Sequence, residues 1–150
     1  MKRLAAFTSM LILCLVPQLN AQDRCSEADL HGSYSWVASG TFAGESFAAA
    51  GQTIYDGNGN ASGVIQASVG GTVLPAAPWT ATYSFSPMLT GEGRTVCVLK
   101  KTITISSYGP LTVSFFGTAS DGYKELRFIA TGSNATTSLT ISGTAQKQYP

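Results

Sequence analysis

Lys101 is the side chain in this sequence that breaks the pattern around it. If residues 94–106 form one strand, alternation places Cys97, Leu99, Ile103 and Ile105 on one face, and Lys101 belongs to that face. An ammonium turned into a narrow apolar interior is costly unless paired, so an inward Lys101 would mark a ligand anchor or a perturbed catalytic amine. The alternative is a bulge or turn at Lys100-Lys101 that swings both amines to solvent, and bulges commonly resolve such misfits.

The remaining chemistry is sparse. A hydrolytic triad needs a base, and the only histidine, His31, sits beside Gly32 with no motif around a candidate serine. Zinc has no ligand set, since one His and two bridged Cys do not furnish a site. Asp56-Gly57-Asn58-Gly59-Asn60 starts like a calcium loop but has Ala61 and Ala67 where glycine and a carboxylate are required, so it reads as a hairpin turn. Glu45, Asp56, Glu92, Asp121 and Glu125 all fall in or beside expected turns and suggest no acid–base pair. No catalytic residue, metal or cofactor is assigned, and a non-catalytic role is favoured.

Residues 1–21 set the compartment. Lys2 and Arg3 precede an apolar run from Leu4 to Val16, and Leu19-Asn20-Ala21 offers a cleavage site, the layout of a secretory signal peptide. Such a run is too short to span a bilayer, which takes about 20 residues. The mature chain is then a single domain over 22–150, secreted to the periplasm or the extracellular space. Once Lys2 and Arg3 leave, seven of the nine basic residues face eight acidic ones, with no basic stripe, so nucleic acid is not an expected partner. No later apolar segment is long enough for a membrane anchor. Cys14 leaves with the leader, and Cys25 and Cys97 are expected to pair in an oxidising compartment. Asn60 and Asn134 each open an Asn-Ala-Ser/Thr tripeptide, which suits exposed loops.

The body of the chain reads as strands. Trp79, Ala81, Tyr83 and Phe85 alternate with Thr80, Thr82, Ser84 and Ser86; Leu111, Val113 and Phe115, and again Leu139, Ile141, Gly143 and Ala145, repeat the pattern. Eight strands are expected, near 32–39, 46–55, 61–70, 79–86, 94–106, 110–119, 124–131 and 138–147. The best helix candidate, Ser26 to Leu30, is barely one turn. Connections this short allow antiparallel neighbours and no parallel crossover. The expected fold is all-β, an eight-stranded antiparallel up-and-down barrel of calycin-like form, with a β-sandwich as the alternative.

Several of these segments occur together in a recognisable order. A cysteine near the mature start is followed by Leu30-His31-Gly32-Ser33-Tyr34-Ser35-Trp36, by the run from Gly51 to Gly63 around Asp56-Gly57-Asn58-Gly59-Asn60, by Thr80-Ala81-Thr82-Tyr83-Ser84, and by Ser142-Gly143-Thr144-Ala145-Gln146-Lys147-Gln148. This order resembles a family of small exported bacterial proteins of unassigned function, numerous in soil bacteria. The resemblance covers nearly the whole mature chain and implies a secreted β-domain; it transfers no catalytic residues.

An eight-strand barrel is either filled by its own side chains or holds one small ligand. The inward set Tyr34, Trp36, Trp79, Tyr83, Phe85, Phe115 and Phe128 could line a pocket for a small apolar molecule, with Trp36, Trp79, Tyr83, Lys101 and Phe115 as candidate ligand-binding residues. Interleaved with Gly63, Ala67, Gly117 and Gly143, the same side chains could equally fill a dry core, and the small interior favours that outcome. Other readings are an extracellular surface or matrix interaction module, motivated by the polar Ser/Thr-rich exterior, and a small barrel isomerase or cyclase that uses Lys101 or a tyrosine.

Overall fold

Alternation of apolar and hydroxylated residues gives nine strands over residues 25–149, the part of the chain that this computed structural model describes. They are β1 (His31–Phe42), β2 (Glu45–Asp56), β3 (Asn60–Val69), β4 (Thr72–Val73), β5 (Ala77–Leu89), β6 (Thr95–Ile105), β7 (Leu111–Ser120), β8 (Glu125–Ser133) and β9 (Leu139–Lys147). The leader expected at 1–21 lies outside the described residues. Among those described, no helix is long and apolar enough to cross a membrane.

Every strand pairing is antiparallel. Eight strands run around a ring in the order β2, β1, β9, β8, β7, β6, β5, β3, and β3 pairs back onto β2, so the sheet closes. This is the up-and-down barrel and not the sandwich. The ring joins the two ends of the chain through β1 and β9, in register from Tyr34 opposite Lys147 to Phe42 opposite Leu139. The expected strands match closely, with three differences. β1 runs on to Phe42, where Ala43 and Gly44 turn with positive φ, β5 extends over Ala77–Leu89 where 79–86 was expected, and β4 adds a two-residue flap on β3. The Asp56 turn is a side-chain-capped hairpin. Its carboxylate accepts from the backbone N–H groups of Asn58 and Asn60 at 2.7 and 2.9 Å and from Asn60 Nδ2 at 3.0 Å, which holds its pKa below the ordinary range.

The bulge that would have turned Lys101 outward does not exist. β6 keeps unbroken register with β5 (Lys101 opposite Tyr83) and with β7 (Lys101 opposite Phe115). The irregularity falls one strand further on, where β8 passes Thr131 between the partners of Ser114 and Phe115. Lys101 therefore stays on the inner face, and Lys100 alone is exposed.

One end of the barrel is plugged. Glu27–Asp29 form a single 3-10 turn beneath the strands, with Asp29 accepting from the Ser26 N–H and hydroxyl at 2.9 Å. The segment that follows drives Leu30 fully inside, and Tyr83 Oη donates to the carbonyls of Leu30 at 2.9 Å and Glu27 at 3.1 Å. A disulfide joins Cys25 to Cys97 on β6 and closes a loop of 72 residues. Tyr34 Oη reaches the Tyr123 carbonyl at 2.7 Å, and the Tyr123 ring meets Phe85 edge-on at 5.5 Å. His31 remains outside, its Nδ1 3.0 Å from the Ala28 carbonyl. The core concentrates here, around Leu30, Tyr34, Phe85 and Leu126.

Two stability outcomes are expected. Replacing Cys25 and Cys97 together by Ser should lower unfolding free energy by about 2–5 kcal/mol in urea melts, and the unaltered chain should show no reactive thiol from this pair under denaturing conditions. Phe85→Ala, at a position 1% exposed, should cost about 3–5 kcal/mol, whereas Phe115→Ala should cost clearly less because Phe115 is only partly buried and lines a cavity.

Candidate functional site

The other end of the barrel is hollow. A cavity of about 630 Å³ extends from mid-barrel to a mouth ringed by Phe42, Leu74, Tyr108, Pro110 and Ala135. The expected dry core is thus correct for the plugged half only. The cause is the distribution of small residues on the inner face: Ala38, Ala67 and Ala145 project too little to meet across the lumen, so the aromatic side chains of other strands line a space instead of filling it.

Two tryptophans are held flat against the wall by glycines. Trp36 stands opposite Gly51, and Trp79 opposite Gly63. A Cβ added at Gly51 would come within 2.6 Å of the Trp36 ring and 2.1 Å of the Val64 carbonyl. One at Gly63 would come within 2.6 Å of the Trp79 ring and 1.9 Å of the Gln52 carbonyl. Only glycine allows both the strand spacing and the ring position. Phe128 lies over Gly143 in the same way and meets Phe115 edge-on at 5.6 Å. The indole Nε1 atoms of Trp36 and Trp79 are covered and have no hydrogen-bond partner, so both rings present carbon surface to the cavity.

The mouth is tied by polar contacts. Tyr108 Oη donates to the Pro75 carbonyl, and Gln66 Nε2 to that of Leu74. Asn134 accepts from Thr112 N at 2.8 Å and donates to the Pro110 carbonyl at 2.7 Å, so its side-chain amide clamps two loops together.

At the inner end of the cavity stands Lys101. Its Nζ donates to Tyr55 Oη at 3.2 Å and lies 5.1 Å from the Trp79 ring, 5.3 Å from that of Tyr55 and 5.9 Å from that of Phe115. No Asp or Glu lines the cavity. Burial without a counter-ion pulls the Lys101 pKa down from 10.5 to about 8. Tyr55 cannot supply the missing charge. It is 3% exposed, packed edge-on between Tyr34 at 5.4 Å and Tyr83 at 5.0 Å, and burial raises its pKa so that the phenol stays neutral.

Of the sequence candidates, the structure brings Trp36, Trp79, Lys101 and Phe115 around one cavity. Tyr83 does not line it; its hydroxyl is committed to the plug, because the N-terminal segment folds under β5. Tyr55 and Thr53, which sequence reasoning passed over, do line it. Their signal was present in the alternation Ala49, Gly51, Thr53, Tyr55, but it was masked by the run of alanines before it. Among the described residues, no three His, Cys, Asp or Glu side chains converge as a metal site would require.

No family model matches the chain, and no curated protein matches it. Solved structures do. The fold is similar to a redesigned beta barrel at 17% identity and TM-score 0.51, covering 82% of this chain and 95% of that one. It is also similar to the redesigned barrel mFAP1 bound to DFHBI, at 15% identity and TM-score 0.50 over 81% of this chain and 97% of that one. An mFAP2b barrel, also bound to DFHBI, gives 16% identity and TM-score 0.50 over 80% and 94%.

The Lys101 environment makes a pH-dependent outcome. Because its folded pKa lies below the ordinary 10.5, the unfolded chain holds the extra proton between about pH 8 and 10.5, and this contribution to stability rises with pH across that window. Lys101→Met should remove this rising contribution and raise stability at pH 7 by on the order of 2–3 kcal/mol, read from urea melts at pH 7 and 9, below the range in which the tyrosines ionise.

Proposed function

We propose that this protein is an exported, non-catalytic binding module that holds one small apolar ligand inside its barrel. The observation that carries the reading is the cavity of about 630 Å³, lined by aromatic and aliphatic side chains, at the end of the barrel opposite the plug. Its volume falls within the range of about 300–1,000 Å³ usual for small-molecule sites. Trp36, Trp79 and Phe115 supply flat apolar walls, and Lys101 supplies the one charge. The mFAP1 and mFAP2b barrels, of similar architecture, are bound to DFHBI, which supports the compatibility of such a barrel with a small-molecule ligand. Export is supported by the basic-then-apolar leader pattern and by the disulfide, a bond that persists in oxidising compartments.

The isomerase or cyclase reading keeps one point in its favour, the inward Lys101 beside Tyr55. Binding accounts for more of the site, because the cavity wall carries no carboxylate or imidazole, and Tyr55, the phenol beside Lys101, is held neutral by burial.

Titration with the neutral probe N-phenyl-1-naphthylamine tests the reading. The probe should brighten on binding with one-to-one stoichiometry and quench the fluorescence of Trp36 and Trp79. Ala67→Phe, which adds a ring inside the cavity, should weaken binding at least tenfold, while Ser62→Phe on the outer face should not. Probe binding that is indifferent to Ala67→Phe, or no binding, would overturn the proposal.

A further inference from the structure

The charge at the inner end of the cavity specifies the ligand further. Resting on the binding reading above, we infer that the ligand is a long-chain monocarboxylate, held head-inward with its carboxylate on Lys101 and Tyr55 and its chain running toward the mouth. Three observations converge on this class. The ammonium has three N–H groups and only one oxygen partner, Tyr55 Oη at 3.2 Å. The cavity wall contains no carboxylate that could serve as its counter-ion. From Lys101 to the mouth the same strand presents Ile103 and Ile105, and facing strands present Ile65, Val113 and Ile141, so the space beyond the amine suits hydrocarbon.

The direction of insertion follows from the plug. The backbone of Lys101 is in register with Tyr83 and Phe115, and on the plugged side of the amine the rings of Tyr34, Tyr55 and Tyr83 close the lumen edge to face. A head group that reaches the amine has therefore passed the whole apolar stretch, and the chain behind it fills that stretch. A single cation neutralises a single negative charge, which disfavours a phosphate dianion. A wholly neutral ligand would leave the ammonium as unpaired as it is in the empty barrel.

The groups that bear on the pH response are few. The titratable groups packed around Lys101 are the phenols of Tyr55 on β2, with Tyr83 on β5 and Tyr34 on β1 against it; their pKa values are raised, so they stay neutral over the range of interest. β7 contributes Phe115, which does not titrate, and Lys147 of β9 lies over the Tyr34 ring on the plugged side. The ligand's carboxyl is ionised throughout, so the pH dependence reports Lys101.

The experiment compares laurate with methyl laurate by tryptophan fluorescence, using the mature wild-type protein and Lys101→Met, from pH 6.5 to 9.5. Laurate should bind wild type at least tenfold more tightly than the ester at pH 7. That preference should vanish in Lys101→Met and should decline in wild type as pH rises past 8, while ester affinity stays flat. Equal affinities for laurate and ester in wild type, or a laurate preference that survives Lys101→Met, would overturn the inference and leave the cavity reading intact. Binding of neither compound or of the neutral probe would overturn both. Should Lys101→Met fail to fold, the wild-type pH series decides alone: a laurate affinity that does not fall between pH 8 and 9.5 sinks the inference.

Discussion

The pairing of β1 with β9 is the contact on which the rest of this molecule depends. It joins the two ends of the chain, and it turns a row of hairpins, each with at least one unpaired edge in isolation, into a ring with none. Only the closed ring gives the inner face a lumen to enclose. Each hairpin forms from near neighbours, but this last seam brings together residues more than 90 apart, such as Phe42 and Leu139. Closure also fixes every inner position at once, because a slip of one residue at the seam would turn a whole strand inside out.

What could be read from the sequence was the part that alternation determines. Trp79, Tyr83 and Phe85, or Leu111, Val113 and Phe115, announce a buried face by chemistry that repeats every second residue, and turn residues such as Asp56, Gly57 and Gly59 mark where strands reverse. Alternation is silent about distance across the lumen. Whether opposed side chains touch depends on which small residues fall at the same height on different strands, and that is a property of register. The same limit explains Lys101. The period assigned it correctly to the inner face, and the cost of a buried ammonium argued for a bulge beside it; the bulge exists, but at Thr131 on another strand. Tyr83 was assigned to the right face and the wrong compartment, since the segment that claims its hydroxyl, Glu27 to Leu30, is more than 50 residues away in sequence.

The two halves of the barrel solve different problems with the same alphabet. In the plugged half, large side chains at matching heights interlock, and Tyr34 and Tyr83 spend their hydroxyls on backbone carbonyls. In the open half, glycine and alanine keep the wall thin, and aromatic rings lie along it. Lys101 stands at the boundary. A purely structural optimum would place a Leu or Met there, and the retained amine lowers stability in exchange for a charge that nothing in the wall matches.

The disulfide lies wholly at the plugged end, where Cys25 is tied to the start of β6, and among the described residues no covalent link spans the mouth. The barrel is therefore anisotropic in stiffness. Thermal breathing costs least where the strands are held by hydrogen bonds and by ties such as those of Tyr108, Gln66 and Asn134, and most where the cross-link and the interlocked rings act together. On the binding reading proposed above, a molecule inside such a cup would exchange with solvent through transient loosening of the rim, at a rate set by a handful of polar ties, while the base keeps its shape. Traffic and retention would then be governed at opposite ends of one sheet.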